Sequence, residues 1–358
     1  IEIMKARITP LLGGKPFNYE KWKETFYSIY CLHEIMRVCK TLPKRTGLIV
    51  GSGCGCINSI EEDYIDMFVN QKVNPLSIIE GMSNFISGYL TMLFKINGPS
   101  FIISSACSSG ANAVGLAFKM LQMGMIDACL CGGVDCGLKE YTFKAWDQMR
   151  VLSRNNEAPN RAMKPFSKKR DGFVLSEGAA YLLLVREGIL SEYSYPCYAE
   201  VAGYSTTSDA THLTRPNTET QVECITSALE DADLSPEEVD YINAHGTSTP
   251  LNDITETNAI KRVFGDLAYQ VPISSTKSML GHTLGASGVL ELLAAVLCMN
   301  NGIIHPTINY EPDEECDLNY VPNASIKKEV KTFLKNSFGF GGSNTCLVIK
   351  SPRYHGTP

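Results

Sequence analysis

Cys107 sits in Ser104-Ser105-Ala106-Cys107-Ser108-Ser109-Gly110, directly after the apolar run Phe101-Ile102-Ile103. The residues that follow, Ala111, Ala113, Val114, Gly115 and Ala117, have the small-residue spacing of a closely packed helix. A cysteine on a strand-to-helix turn faces backbone N–H groups that lack intrahelical partners. That field favours the thiolate, which is the nucleophilic form. Two further segments read as strand, polar turn and helix, and each carries a histidine on the turn. In Ile242-Asn243-Ala244-His245-Gly246-Thr247-Ser248-Thr249-Pro250, His245 lies at the carboxyl end of a strand, where open α/β sheets bind ligands. Gly246 permits close backbone approach, and Thr247 and Thr249 offer hydroxyls to an amide-bearing ligand arm. In Lys277-Ser278-Met279-Leu280-Gly281-His282, the lysine follows a buried strand and needs a partner, for which Glu256 is a purely structural candidate. Asp253-x-x-Glu256 before a helical run resembles a capping box, a role compatible with supporting the site. One cysteine and two histidines at such junctions form a constellation for covalent acyl chemistry.

A fourth piece is Asn336-Ser337-Phe338-Gly339-Phe340-Gly341-Gly342-Ser343-Asn344. Two phenylalanines among glycines are poor strand interior, so a mobile loop with an aromatic lid is expected. Its backbone N–H groups are free to serve as oxyanion donors.

The elements that must position these groups alternate between β and α. The first half reads as strand Gly47–Val50, helical material between Pro75 and Leu93, strand Phe101–Ser105, helix Ser109–Met123, strand Ala128–Gly132 and strand Ala179–Val185. The second reads as strand Tyr198–Tyr204, helix Thr220–Asp231, strand Val239–Asn243, helix Asp253–Phe264, strand Val271–Ser275, helix Ala286–Met299 and strand Cys346–Lys350. Near-continuous apolar strands alternating with helices predict mostly parallel sheets covered by helices. Ser105–Gly115 and Thr276–Gly288 repeat one pattern, so a duplicated α/β architecture is expected, with its site between residues 1–195 and 196–358. The seam falls near Leu190–Pro196, where Ser191, Glu192, Ser194 and Pro196 cluster.

The bulk composition excludes several classes. A net charge of −6 gives no electrostatic case for nucleic acid. Lys168-Lys169-Arg170, followed by Asp171, reads as a solvated surface turn, with docking of an acidic partner as the alternative. The longest apolar stretch, Leu284 to Met299, contains Glu291 and is too short for a membrane span. Thirteen cysteines without paired C-x-x-C spacing argue against a zinc site and for buried thiols in a reducing compartment. No signal peptide is visible, because Lys5 and Arg7 interrupt the first apolar residues. The cytoplasm or an organelle matrix follows as the expected location.

Together the segments resemble the β-ketoacyl-[acyl-carrier-protein] synthases of the elongating type II, within the thiolase-fold condensing enzymes. The matching stretches are Ser105–Ala113, Lys169-Arg170-Asp171-Gly172-Phe173-Val174-Leu175-Ser176-Glu177-Gly178, Asn243–Asp253, Ser274–His282 and Asn336–Asn344, in family order from about Arg45 onward. The resemblance implies a thiolase-like α/β fold with layers α-β-α-β-α and a decarboxylative Claisen condensation in fatty-acid or polyketide synthesis. It implies that Cys107 is the nucleophile and that His245 and His282 assist malonyl decarboxylation. Lys277 would hold His282, with Asp253 and Glu256 in the supporting network. Backbone N–H groups of Cys107 and Phe340 would form the oxyanion hole. Phe340 would be the gate, with Phe338, Gly339 and Gly341 in the same loop, and Thr247 and Thr249 would contact pantetheine. It further implies no cofactor or metal held by the enzyme itself, substrates carried on the phosphopantetheine of acyl carrier protein, and a homodimer or a heterodimer with a ketosynthase-like subunit.

The resemblance has gaps. The family's opening strand, turn and helix have no clear counterpart in Ile1–Lys44, so the first sheet is expected to lack that unit or to receive its strand from another subunit. Ser208–Asn217 lacks the family's longer glycine-bearing loop, and His212 there reads as structural. Ser108-Ser109 differs from the commonest form of the nucleophile motif. A non-catalytic chain-length-determining partner is the alternative, disfavoured because Cys107, His245 and His282 are all present. A thiolase is disfavoured because Cys346 lies beyond the glycine-rich loop, inside an apolar strand.

Overall fold

The computed structural model describes residues 1–352 apart from 15 and 194, so Ser194 of the expected seam lies outside the described residues. Eleven strands are described: β1 (Thr46–Gly51), β2 (Ser100–Ile103), β3 (Ala128–Asp135), β4 (Gly178–Val185), β5 (Glu200–Ser208), β6 (Tyr241–Asn243), β7 (Ile273–Ser274), β8 (Ile303–Ile304), β9 (Ile326–Lys327), β10 (Thr332–Gly339) and β11 (Ser343–Lys350). The longer helices are α1 (Lys23–Val38), α2 (Ile57–Asn70), α3 (Asn84–Phe94), α4 (Ser109–Gln122), α5 (Glu140–Gln148), α6 (Thr218–Asp231), α7 (Pro250–Phe264) and α8 (Ser287–Asn300).

One sheet has the order β2-β1-β3-β4 and the other β5-β11-β10-β6-β7, with β8-β9 a separate ribbon. Parallel pairing joins β1 to β2 and β3, and β6 to β7 and β10. Antiparallel pairing adds β4 in one sheet, and β11 and β5 in the other. The sheets are therefore mixed, and of their antiparallel pairs only β10 and β11 are joined by a short hairpin.

Strand residues alternate between two apolar environments because side chains leave a strand on opposite faces. Ile49, Cys129 and Cys131 face inward, while Leu48, Val50, Leu130 and Val134 pack outward on Phe26, Ile29 and Leu32 of α1 and on Ile86 and Leu90 of α3. In the second sheet, Phe333, Leu347 and Ile349 face inward. Ile242, Leu334 and Val348 pack outward on Ile225 and Leu229 of α6 and Ile260 of α7. Between the sheets lie α4 and α8, buried through Ala111, Ala113, Val114, Ala117, Val289, Leu292 and Ala295. The five layers follow.

The two central helices cross at their first turns. A Cβ on Gly110 would stand 2.6 Å from the Gly285 carbonyl oxygen, and one on Gly288 would stand 2.7 Å from the Ala111 nitrogen. Only glycine permits that approach.

Several expectations need correction. The segment Asn336–Asn344 is no mobile loop: residues 336–339 end β10 and residues 343–344 begin β11, leaving a tight turn at Phe340-Gly341-Gly342. The helices α1, α2 and α5 were not anticipated. Lys169 pairs with Glu311 at 2.9 Å, and Arg170 pairs with Asp313, so most of the basic triplet is spent within the chain. Among the described residues, no helix is long and apolar enough to cross a membrane.

Candidate active site

The nucleophile's elbow is built by backbone geometry. Ala106 adopts φ +50°, in the left-handed region, and turns the chain from β2 into a short 3-10 turn, Ala106–Ser108, ahead of α4. Ser109 Oγ accepts the Ser105 N–H at 2.9 Å and closes the turn. The second half repeats this. Leu284 adopts φ +48°, Leu284–Ala286 forms a 3-10 turn ahead of α8, and Ser287 Oγ accepts the Thr283 N–H at 3.1 Å. Asp135, at the end of β3, joins the two. Its buried carboxylate accepts from Ser52 Oγ at 2.8 Å and from the N–H groups of Gly53 (2.9 Å), Cys54 (3.0 Å) and Gly285 (2.6 Å).

Cys107 opens onto a cavity of about 390 Å³ that is also lined by His245, His282, Thr247, Thr249 and Phe340. Cys107 is buried, at 6% exposure. Burial pushes the thiol up to about 11, while the Lys277 charge and the Phe340 N–H, which donates to the sulfur, pull it down. Burial therefore opposes the thiolate that the helix end favours.

The two imidazoles stand edge to face, with centroids 5.6 Å apart at 82°. Both lie well below the usual histidine range, first because they are buried and then because Lys277 and Lys335 are nearby. They are neutral. Their partners also fix the tautomer, since a ring nitrogen facing an obligatory donor must accept. His245 Nδ1 faces Lys277 Nζ at 3.2 Å. His282 Nδ1 accepts the Leu284 N–H at 3.2 Å and lies 2.9 Å from Ser287 Oγ. In each ring the proton is left on Nε2.

Lys277 departs from expectation twice. It pairs with Glu291 at 2.7 Å rather than with Glu256, and it holds His245 rather than His282, donating also to the His245 carbonyl at 2.6 Å. Glu256 instead accepts the N–H groups of His245 and Gly246, each at 2.8 Å, and Asn336 Nδ2 at 3.3 Å. Asp253 takes the Thr247 N–H at 3.0 Å and the Phe166 N–H at 2.7 Å. No capping box forms, because both carboxylates turn inward to hold the His245 turn. The N-cap of α7 is Thr249, whose hydroxyl lies 2.8 Å from that of Thr247.

Phe338 is buried, with its ring 5.9 Å from that of His245, while the Phe340 ring stacks on Trp146 at 6.0 Å. The Gly341 N–H donates to the Leu213 carbonyl at 2.7 Å, and a Cβ on Gly339 would meet the Ser105 oxygen at 2.8 Å. His212 stays outside the site and accepts the Thr214 N–H at 3.0 Å. Sequence reasoning missed Asp135, Ser287, Lys335 and the role of Glu291. The signal was a charge inside an apolar element: Glu291 in a helical run and Lys335 in a strand both need buried partners.

Residues 32–188 match the beta-ketoacyl synthase, N-terminal domain, and residues 198–311 match the beta-ketoacyl synthase, C-terminal domain. A 3-oxoacyl-[acyl-carrier-protein] synthase 2 from Coxiella burnetii is 40% identical over 319 residues, covering 88% of this chain and 77% of that protein. The tetracenomycin polyketide synthase ketoacyl synthase alpha subunit from Streptomyces glaucescens is 38% identical over 322 residues, or 87% and 76% of the two chains. A type II polyketide ketosynthase, solved with its acyl-carrier protein and bound to a hexaketide, superposes with a TM-score of 0.86 at 31% identity, covering 94% of this chain and 85% of that one. The thiolase-like layering described above is therefore shared with solved ketosynthases.

Proposed function

We infer the reaction from a fixed premise: the chain belongs to the beta-ketoacyl synthase family. It catalyses a decarboxylative Claisen condensation of an acyl group held on Cys107 with a malonyl group on acyl carrier protein, extending a fatty-acid or polyketide chain by two carbons. The observation that carries this reading is the convergence of one thiol and two neutral imidazoles on a single cavity.

Acylation begins when the Cys107 sulfur attacks the carrier thioester. A new C–S bond forms, the C–S bond to pantetheine breaks, and the cysteine proton ends on the departing sulfur. The Cys107 and Phe340 N–H groups would stabilise the tetrahedral oxyanion. Malonyl thioester then loses carbon dioxide, and the electron pair of the broken C–C bond becomes an enolate. The Nε2–H groups of His245 and His282 suit its oxygen, because a neutral donor stabilises developing charge without forming an ion pair in the resting site. The enolate carbon attacks the acyl-Cys107 carbonyl, the C–S bond to Cys107 breaks, and the departing thiolate takes a proton from water entering the cavity.

Thr247 and Thr249 suit the amides of the pantetheine arm. Arg150 and Arg215 line the mouth, exposed and without an acidic partner among the described residues, where the arm's phosphate would pass. The substrates are thus carrier-bound. All thirteen cysteines are free, which suits a reducing compartment such as bacterial cytoplasm. Retention of Cys107 and both histidines favours this reading over a chain-length-determining partner.

Intact-mass analysis after incubation with a panel of acyl carrier proteins tests the proposal. The expected result is one acyl adduct, absent in Cys107→Ala, which keeps malonyl decarboxylation but loses condensation. An adduct that persists in Cys107→Ala would remove the mechanism. A second copy of the chain would pack along β2, the edge strand of its sheet, where Phe101 and Met92 of the adjoining α3 are about half exposed. Light scattering at micromolar concentration should report a dimer, and a monomer would count against that packing.

A further inference from the structure

A second lysine stands behind the histidines. Lys335 lies in the middle of β10, paired with Asn243 of β6 on one side and Leu347 of β11 on the other. Its side chain is completely buried. Phe333, two residues earlier on the same strand face, belongs to the core between the sheets, so Lys335 points inward to α8. There its Nζ lies 2.8 Å from Glu291 Oε2 and donates to the Asn336 carbonyl at 2.5 Å. The other oxygen of Glu291 lies 2.7 Å from Lys277 Nζ. One carboxylate is therefore shared by two ammonium groups, the second of which reaches His245.

An ammonium group inside a sheet is costly unless its charge is balanced, so the local count matters. Lys277 and Lys335 supply two positive charges, and Glu291 and Glu256 supply two negative ones. Removing Lys335 would leave one carboxylate uncompensated beside two imidazoles. The cheapest relief is a proton taken up by the cluster, and a histidine protonated there is no longer a neutral Nε2 donor poised for an enolate. Other titratable groups facing the pair are Cys107 across the cavity, Asp135 behind the elbows and Asp253 beneath the His245 turn. His305 lies on the far side of Lys335, hydrogen-bonded near Tyr241 and Ser274.

We propose that Lys335 is a positioning residue for the condensation: it anchors Glu291 so that Lys277 is held on His245, and its charge keeps both histidines as neutral donors. This rests on the proposed roles of His245 and His282. Lys335 acts through Glu291 and Lys277 and touches no substrate.

The test is the pH dependence of malonyl-carrier decarboxylation, measured together with the imidazole NMR titrations of His245 and His282. Lys335→Met, of similar length but uncharged, should slow decarboxylation about tenfold or more. It should also move the acid limb and the histidine titrations up by about one pH unit, the size of a single buried charge at this range. Glu291→Gln should move both in the opposite direction, because it leaves a positive excess. The double variant Lys335→Met/Glu291→Gln regains the balance of one lysine and one glutamate, and should return both toward the parent values. Should Lys335→Met not fold, Glu291→Gln and the double variant still decide the matter. Titrations unmoved in the folded variants would overturn the proposal and leave Lys335 a packing residue. Undiminished decarboxylation in His245→Ala would instead overturn the histidine roles, whatever Lys335 does.

Discussion

The elbows at Ala106 and Leu284 are nearly the same object. Each has a left-handed residue, a 3-10 turn, a serine that takes back a preceding N–H, and a central helix beginning at that serine. At the second position of the turn, one carries Cys107 and the other Gly285. The first aims a sulfur into the cavity. The second aims a backbone N–H at Asp135 and uses its serine to orient His282. A helix N-terminus is thus only a scaffold: what it does depends on the side chain at that position and on how much water that side chain keeps.

The comparison breaks most visibly if the helix end alone governs the sulfur. Burial holds the Cys107 thiol up at about 11, above the ordinary thiol range. Its alkylation by iodoacetamide, followed by mass spectrometry, should therefore rise about tenfold per pH unit from pH 7 to 10 without a plateau. A plateau near neutrality would restore the thiolate and reverse the ranking of burial over the helix field. The glycine elbow offers the next largest effect. A Cβ on Gly285 would stand 2.5 Å from the Gly53 nitrogen and 2.6 Å from Asp135 Oδ2. Gly285→Ala should therefore lower stability by about 3 kcal/mol in denaturant titrations, with a loss below about 1 kcal/mol contradicting the cradle. The serines separate scaffold from site. Ser109→Ala and Ser287→Ala should each cost about 1 kcal/mol of stability. Only Ser287→Ala should also slow decarboxylation, by about tenfold, because only that hydroxyl lies against His282 Nδ1. Equal kinetic losses in both would erase the distinction.

Much of this was legible in the residues. The apolar runs around Leu48–Val50 and Ala128–Leu130 read as strands because buried strands are apolar throughout, and the glycine-bearing turns located all three of Cys107, His245 and His282. The strand β10 did not read as one, because Lys335, Asn336 and Ser337 interrupt its apolar pattern, and the partners of Lys335 and Asn336 come from α8 and α7, far away in sequence. Helices α1, α2 and α5 were missed for a related reason. Their faces are split between core and solvent, and α2 carries Tyr64, Phe68 and Val69 on its exposed side, which blurs the helical period. The assignment of Lys277 to Glu256 failed although Glu291 is nearer along the chain, because Glu291 lies in an apolar helical run and only the packing of α8 shows that it reaches the lysine.

The commitment of both Nδ1 atoms has a consequence for proton traffic. An imidazole relays protons only when one nitrogen can release as the other takes up. Behind His282 stand a main-chain amide, which cannot accept, and the Ser287 hydroxyl, and behind His245 stands an ammonium group. The amide and the ammonium group both oppose passage of a proton through the rings to bulk water. The hydrogen leaving Cys107 must then travel with the thiol it displaces, so acyl loading should depend on the acidity of the departing thiol more than on that of any side chain in the pocket.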